Sequence, residues 1–384
     1  DGWLIENGQE FAFLRREGWG DSLAAIYSWR PGSADVVKRF VTSDRVGSCR
    51  PSNDRLICLR ETSTQPAHIV SIDLRHGGVQ TLFDPNPEFA RIRLQPAQRL
   101  EWSNDIGLKT YGDLVLPPDH KPGQKHPLIV TTYRTTGFLR GGVGDEYPIQ
   151  LFANAGFAVL SFNRPTDPAA LSKFDTLNAW FKANYADWVD RRSVNSALEA
   201  GIAAAIGKGV IDPTRIAVTG LSNGSSTVEW ALSNSENYAA ASISALAGPV
   251  CYMALTGPGR TRTFRDEQGL KGLTDPGSAA FWKPAAIVLN ADRVNVPLLV
   301  QVSDYDLPCA QDAFTALRER KRPVEMHVFP GEFHVKWQPV HRVALYRRNV
   351  QWFKYWMMGL EDRDPVDPTQ YQRWATLKAE AGLK

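Results

Sequence analysis

Five consecutive residues, Gly220-Leu221-Ser222-Asn223-Gly224, carry the strongest chemical signal in the chain. A buried-looking strand over 215–219 runs into them, and a helical run over 225–233 follows. A serine between such a strand and such a helix sits on a sharp turn that lifts its hydroxyl above the sheet. Glycines two before and two after it let the flanking backbone close on that turn. The N–H of Asn223, at the helix start, points where negative charge gathers on a carbonyl oxygen under attack. Ser222 is the candidate nucleophile and Asn223 a candidate oxyanion donor.

A serine at its free pKa needs a base, and the base needs an acid that fixes its tautomer. On this kind of turn the acid and then the histidine follow the serine in chain order. Three histidines lie downstream. His327 falls inside a strand pattern, and His341 precedes or opens a helix. His334 lies in the loop after the last strand, where a base belongs. The acid should follow the strand over 298–302, and both Asp304 and Asp306 qualify. Asp306, deeper in the loop, is preferred; Asp304 suits a turn cap, and Asp312 sits in the next helix. A second oxyanion donor should come from the loop Tyr133-Arg134-Thr135-Thr136-Gly137, where the Tyr133 phenol can donate; by composition alone, an ordinary strand-end tyrosine fits equally.

These residues need a rigid frame. Residues 127–133 and 157–162 are nearly continuous apolar runs, as in parallel strands covered on both faces; 215–219 reads as the next buried strand, and 296–302 and 324–329 complete the set. Between them, 190–207 reads as an amphipathic helix with Val194, Ala197, Leu198, Ile202, Ala205 and Ile206 on one face. A final helix is expected over 341–358, stopping at Gly359. Residues 102–118 read as a hairpin with its second strand over 109–116. Alternating strands and helices predict a doubly wound, mostly parallel α/β sheet.

The first 90 or so residues differ. Short strands are expected over 10–16, 23–30, 36–41, 55–60, 68–74 and 79–83, with turn signals between them. Ile26, Ser28, Val36 and Phe40 recur as Ile69, Ser71, Val79 and Phe83, each 43 positions on. The segment 11–15 recurs loosely at 56–60. Four short strands repeated at this period are the signature of a β-propeller blade. Two blades cannot close a propeller, so the expectation is that further blades lie on an N-terminal segment upstream of Asp1 or on a separate chain. Cys49 and Cys58 flank a turn at 51–54. Either they are small apolar strand residues or they form a disulfide, which would imply an oxidising compartment. Neither they nor Cys251 and Cys309 form a CxxC pair, so no zinc site is expected.

The chain's 384 residues give a formal net charge of +3 with 22% charged residues. No basic field exists to recruit nucleic acid or an anionic membrane. No apolar run approaches the roughly 18 residues that span a bilayer. Neither partner is expected, and no metal or organic cofactor is implied.

A propeller followed by this triad order resembles the prolyl oligopeptidase family of serine peptidases. The resemblance covers essentially the whole chain and is most specific over 120–358. It implies an α/β-hydrolase fold over 96–384 preceded by the last blades of a propeller over 1–95. In that family a tyrosine ending the first long core strand completes the oxyanion hole, and Tyr133 matches that position. The block 324–341, with Gly331-Glu332-Phe333-His334-Val335-Lys336-Trp337, resembles lasso peptide isopeptidases, as does 347–353. This resemblance implies a lasso peptide substrate, whose ring is closed by an isopeptide bond between the N-terminal amine and an Asp or Glu side chain. It also departs from dipeptidyl-peptidase-like relatives, which usually carry an aromatic residue where Asn223 stands; many relatives have glycine where Ser225 stands.

The expected chemistry is acyl transfer by Ser222, His334 and Asp306. The alternative is a general oligopeptidase or dipeptidyl peptidase using the same residues. Arg134, Asn163 and Arg164, at the carboxyl ends of core strands where ligands bind in such sheets, are candidate substrate contacts; surface or ion-paired arginines fit equally well.

Overall fold

A computed structural model describes residues 2–5, 8–139, 147–245, 253 and 256–383. Asp1 and Cys251 lie outside them. The described chain forms two four-stranded antiparallel sheets and one eight-stranded sheet.

The first small sheet pairs β1 (Gly2–Ile5), β2 (Glu10–Glu17), β3 (Leu23–Trp29) and β4 (Val36–Thr42) in sequential order. The second pairs β5 (Arg45–Ser52), β6 (Arg55–Glu61), β7 (His68–Asp73) and β8 (Val79–Phe83) in the same way. The sequence repeat is a structural one. Ile26 lies opposite Phe40 and Ile69 opposite Phe83, each followed by a register shift. Val36 pairs with Trp29, and Val79 with Ile72. Phe11 pairs with Trp29 and Leu56 with Ile72, so the looser repeat also keeps register. The blades share one core, in which Ile5, Ala12 and Ile26 meet Val46, Leu56, Val70 and Ile72. Cys49 and Cys58 are disulfide-bonded in that core. The bulge between Gly47 and Arg50 brings them together. Strand β5 escapes a sequence reading because Gly47, Pro51 and four polar residues interrupt its alternation.

The large sheet is an α/β-hydrolase sheet. Its strands are β9 (Ala97–Ser103), β10 (Lys109–Val115), β11 (His126–Thr132), β12 (Ala158–Phe162), β13 (Ile211–Gly220), β14 (Ala240–Ile243), β15 (Leu298–Ser303) and β16 (Val324–Phe329). The order is β16-β15-β14-β13-β11-β12-β10-β9; β10 is antiparallel to both its neighbours, β9 and β12, and every other pair is parallel. The apolar runs are continuous because each strand feeds two cores. Leu128 and Val130 face one and Ile129 the other; Val218 and Ala217 divide likewise, as do Val300 and Leu299. The helices Val189–Ile206, Asn223–Asn234 and Leu307–Glu319 cover the first face. Ile149–Asn154 and Pro339–Met358 cover the second.

The helix ending at Gly359 is not the last. A further helix, Gln370–Glu380, packs Trp374 edge-on against Trp352 at 5.1 Å between ring centroids. Only Trp374 and Leu377 of its apolar residues are buried, too few to mark a helical stripe in sequence. Strand β14, only four residues long and three of them small, is equally invisible. Among the described residues no helix is long and apolar enough to cross a membrane.

The blades are bolted to the large sheet by polar contacts. The Trp19 indole donates to the carbonyls of Trp102 (3.0 Å) and Thr110 (2.9 Å), and Lys109 lies over its ring. Trp102 in turn donates to Ala197 O at 2.8 Å and lies flat on Gly201. A Cβ on Gly201 would meet Trp102 Cζ2 at 2.5 Å. Ala is favoured over Gly in a helix by about 1 kcal/mol, but overpacking a tight core costs about 1–3 kcal/mol. We therefore expect Gly201→Ala to lower the urea midpoint of unfolding; an unchanged or raised midpoint would contradict the tight Trp102 contact.

Candidate active site

Ser222 stands between β13 and the helix Asn223–Asn234 with φ 59° and ψ −123°. That conformation is rare for a residue with a side chain and costs roughly 1–3 kcal/mol. It is held by clearance. A Cβ on Gly220 would lie 2.3 Å from the backbone of Gly224, and one on Gly224 would lie 2.7 Å from Thr132 Oγ1. The Thr132 hydroxyl fills the remaining space, within hydrogen-bond distance of the carbonyls of Thr219 (3.0 Å) and Gly224 (3.1 Å). Ser225 donates to Gly220 O at 2.7 Å and laces the first helical turn to the strand. Ser222 occupies the N-cap position, yet its hydroxyl does not cap the helix. Asn223 is the first helical residue, so its N–H is one of the amides a helix leaves without an intrahelical acceptor.

Asp306 and His334 come from the loops after β15 and β16, at the sheet edge where β13 delivers Ser222. His334 Nδ1 lies 3.1 and 3.0 Å from the two Asp306 carboxylate oxygens. Asp306 is buried and also accepts from the Ser303 hydroxyl at 3.1 Å. Asp304 takes another task. Its carboxylate accepts the N–H of Gly331 (2.9 Å) and Glu332 (3.3 Å), pinning the histidine loop to the end of β15. His327 is held by Glu325 at 2.6 Å.

Sequence reasoning missed the residues that shape the histidine loop. Glu332 is buried and folds back to accept the N–H of Trp337 (2.9 Å) and Gln338 (3.0 Å), and it pairs with His341 Nδ1 at 2.7 Å. Burial alone would raise its pKa, but the Trp337 N–H, His341 and the Gln338 N–H outweigh that and hold it below the usual glutamate value. Lys336 is buried with Nζ 2.9 Å from Ser244 O, tying the loop to the end of β14. A charged residue inside the short stretch around His334 was the available signal. Phe333 and Trp337, flanking His334, are exposed.

Tyr133 follows β11 directly and is half-buried. Its carbonyl accepts the Arg164 N–H at 2.9 Å, and the Arg134 guanidinium lies 5.9 Å from its ring centroid. The loop beyond it is clamped from both sides. Buried Asp113, chelated by Arg99 at 2.9 Å through each oxygen, accepts the Thr135 hydroxyl at 2.7 Å. From the second blade, Glu61 accepts the Phe138 N–H (3.2 Å) and Ser63 O the Leu139 N–H (3.2 Å).

The three candidate substrate contacts separate. Arg134 is exposed. Asn163 donates to Arg164 O at 3.1 Å. Arg164 is occupied internally: it pairs with Asp167, with Asp190 at 2.6 Å, and donates to Asn223 Oδ1 at 3.0 Å. Asp190 and Arg191 were not read as site residues, although Arg191 falls three positions before Val194 on the apolar helix face, an unusual place for a charge. Among the described residues no group of three or more His, Cys, Asp and Glu is arranged to hold a metal.

Residues 146–359, more than half of the chain, match the prolyl oligopeptidase family. The lasso peptide isopeptidase AtxE2 of Asticcacaulis excentricus is 39% identical over 378 residues, covering 98% of this chain and 54% of that protein. The chain thus spans about half the length of this curated relative. A serine-to-alanine variant of AtxE2 isopeptidase with Astexin3-dC4 bound superposes with a TM-score of 0.93 at 38% identity, covering 99% of this chain and 58% of that one. The Pyrococcus horikoshii acylaminoacyl peptidase shares the fold, with a TM-score of 0.67 at 20% identity over 94% of this chain and 57% of its own.

Two outcomes follow from the packing. Gly220→Ala should abolish the turn, because backbone at 2.3 Å cannot step aside; retained labelling of Ser222 by a fluorophosphonate would refute the clearance argument. Glu332 titrates below its ordinary 4.5 when folded, so its stabilisation is complete above that pH and is lost as pH falls through the lowered folded value. Denaturation curves between about pH 6 and 3 should therefore fall less steeply for Glu332→Gln than for the parent; parallel slopes would remove Glu332 from the loop's electrostatics.

Proposed function

The chain belongs to the prolyl oligopeptidase family, and on that premise we propose that it is a serine peptidase that opens the isopeptide bond of a lasso peptide. The observation that carries the chemistry is the Asp306 carboxylate seated on His334 Nδ1 at the sheet edge where Ser222 stands in its positive-φ turn. The substrate is supported by the 39% identity to AtxE2 and by the block around His334.

In this reading the Ser222 oxygen bonds to the isopeptide carbonyl carbon as its proton passes to His334 Nε2. Asp306 holds the imidazole with Nδ1 protonated and stabilises the imidazolium. The Asn223 N–H and the Tyr133 phenol receive the oxyanion. The carbon–nitrogen bond then breaks, and His334 returns the proton to the leaving amine. The acyl-enzyme is an ester of an Asp or Glu side chain. Water attacks it with His334 again as base, Ser222 leaves with the proton, and the carboxylate is freed. No step calls on a metal or organic cofactor. We also place the junction of the two units at residues 95 and 96, between the blades and β9.

Incubation with a threaded lasso peptide should add the mass of one water and open the ring, with linear peptides untouched. Cleavage of linear peptides instead would make the chain a general oligopeptidase or dipeptidyl peptidase. Ser222→Ala should abolish turnover, and Tyr133→Phe should lower kcat about 10²–10³-fold, the usual loss of one oxyanion donor. Unchanged turnover in Tyr133→Phe would remove that phenol from the site.

A further inference from the structure

The residue after the candidate nucleophile is held by its side chain, and by an unusual device. Asn223 Oδ1 accepts from Arg164 Nη1 at 3.0 Å and from Arg191 Nη1 at 3.3 Å, and Arg191 also reaches the Asn223 carbonyl at 3.4 Å. The Thr227 hydroxyl donates to the same carbonyl at 3.1 Å. Two guanidinium groups converging on one amide oxygen would repel each other. Asp190 offsets this, accepting from Arg164 Nη2 at 2.6 Å and lying 3.7 Å from Arg191 Nε, while Asp167 accepts from the same Arg164 nitrogen. Asp190 and Arg191 are buried, and the Arg164 side chain is only 15% exposed. Burial pushes the Asp167 carboxyl up against the opposing pull of Arg164, with Asp190 adding to the rise.

The three elements that meet here are otherwise independent. Arg164 follows β12, Arg191 comes from the helix Val189–Ile206, and Asn223 opens the helix behind Ser222. Asn223 Oδ1 receives both arginines, and an aromatic side chain at that position could not. An amide N–H aimed at a developing oxyanion must hold its direction, since a displacement of about 1 Å can cost about 10²-fold in rate.

We propose that Arg164 and Arg191 are positioning residues that grip the Asn223 side chain and so fix the direction of the Asn223 N–H toward the oxyanion. This rests on the reading of Ser222 as nucleophile and the Asn223 N–H as oxyanion donor. The arginines touch no reacting atom; they act through Asn223.

Removing an arginine leaves buried Asp190 without its full complement and endangers the fold. The decisive variant is therefore Asn223→Ala, which keeps the N–H and the ion cluster and removes only the amide both arginines hold. The readout is phosphonylation by a fluorophosphonate, whose phosphoryl oxygen occupies the oxyanion position, resolved into a maximal rate and a half-saturating concentration. Asn223→Ala should lower the maximal rate about 10- to 100-fold, leave half-saturation within about twofold, and keep Tm near the parent value. Arg164→Lys, which retains charge but not the forked reach, should give a similar loss, and the double variant should be no slower than Asn223→Ala alone. An unchanged maximal rate in Asn223→Ala would overturn the proposal, as would multiplicative losses in the double variant. A fall in Tm with an unchanged rate per labelled site would assign the cluster a structural role only. Failure of the parent chain to label at Ser222 is a separate result: it would overturn the nucleophile reading and this inference with it.

Discussion

The turn at Ser222 is the constraint to which the surrounding structure answers. A side-chain-bearing residue at φ 59° is unfavourable by itself, and it persists only because both flanks are pinned. Gly220 and Gly224 touch backbone to backbone, and Thr132 closes the third side. This dictates more than the turn. Thr132 is the last residue of β11, so the same contact that stabilises the serine brings the end of β11, and Tyr133 after it, alongside the helix start. Positioning the candidate nucleophile and positioning the second oxyanion candidate are therefore one packing problem.

A similar economy holds the other side of the site. The carboxyl ends of β15 and β16 each release a loop, and two acids divide the labour between them. Asp304 spends its carboxylate on backbone amides of the histidine loop, which leaves Asp306 to meet the imidazole. Glu332 and Lys336, both buried, then fold the loop onto its own N–H groups and onto β14. Charged side chains buried this close to a site are costly unless satisfied; here Glu332 is met by backbone N–H groups of the loop and by His341, and Lys336 by the Ser244 carbonyl beyond β14. The blades join in through Glu61 and Ser63, which grip the loop after Tyr133. The small sheets thus contact the frame of the site as well as the outer hairpin.

Much of this was legible in the residues. The Gly220–Gly224 run, the alternating strands and helices, and the 43-residue repeat are local patterns, and local patterns survive in one dimension. The choice of Asp306 over Asp304 rested on loop depth, and its geometry follows because Asp304 is nearer the strand end, where it meets the amides of the neighbouring loop. Arg164 is the instructive case. At a strand's carboxyl end it could be read as a substrate contact or as an ion-paired arginine, and only the packing of the helix Val189–Ile206 shows Asp190 filling its reach. The helix Gln370–Glu380 went unseen because two buried apolar residues suffice to dock it once Trp352 offers a surface.

The sequence by itself determined the kind of fold and the identities of the serine, acid and histidine candidates, because strand and helix periodicity and the demands of a tight turn are properties of neighbouring residues. The tertiary structure alone decided which polar groups are already occupied: the Cys49–Cys58 bond across a bulge, Asp304 committed to a loop, and two arginines committed to Asn223. Satisfying a buried polar group takes partners from strands and helices far apart in the chain, and no one-dimensional spacing records which of them arrive together.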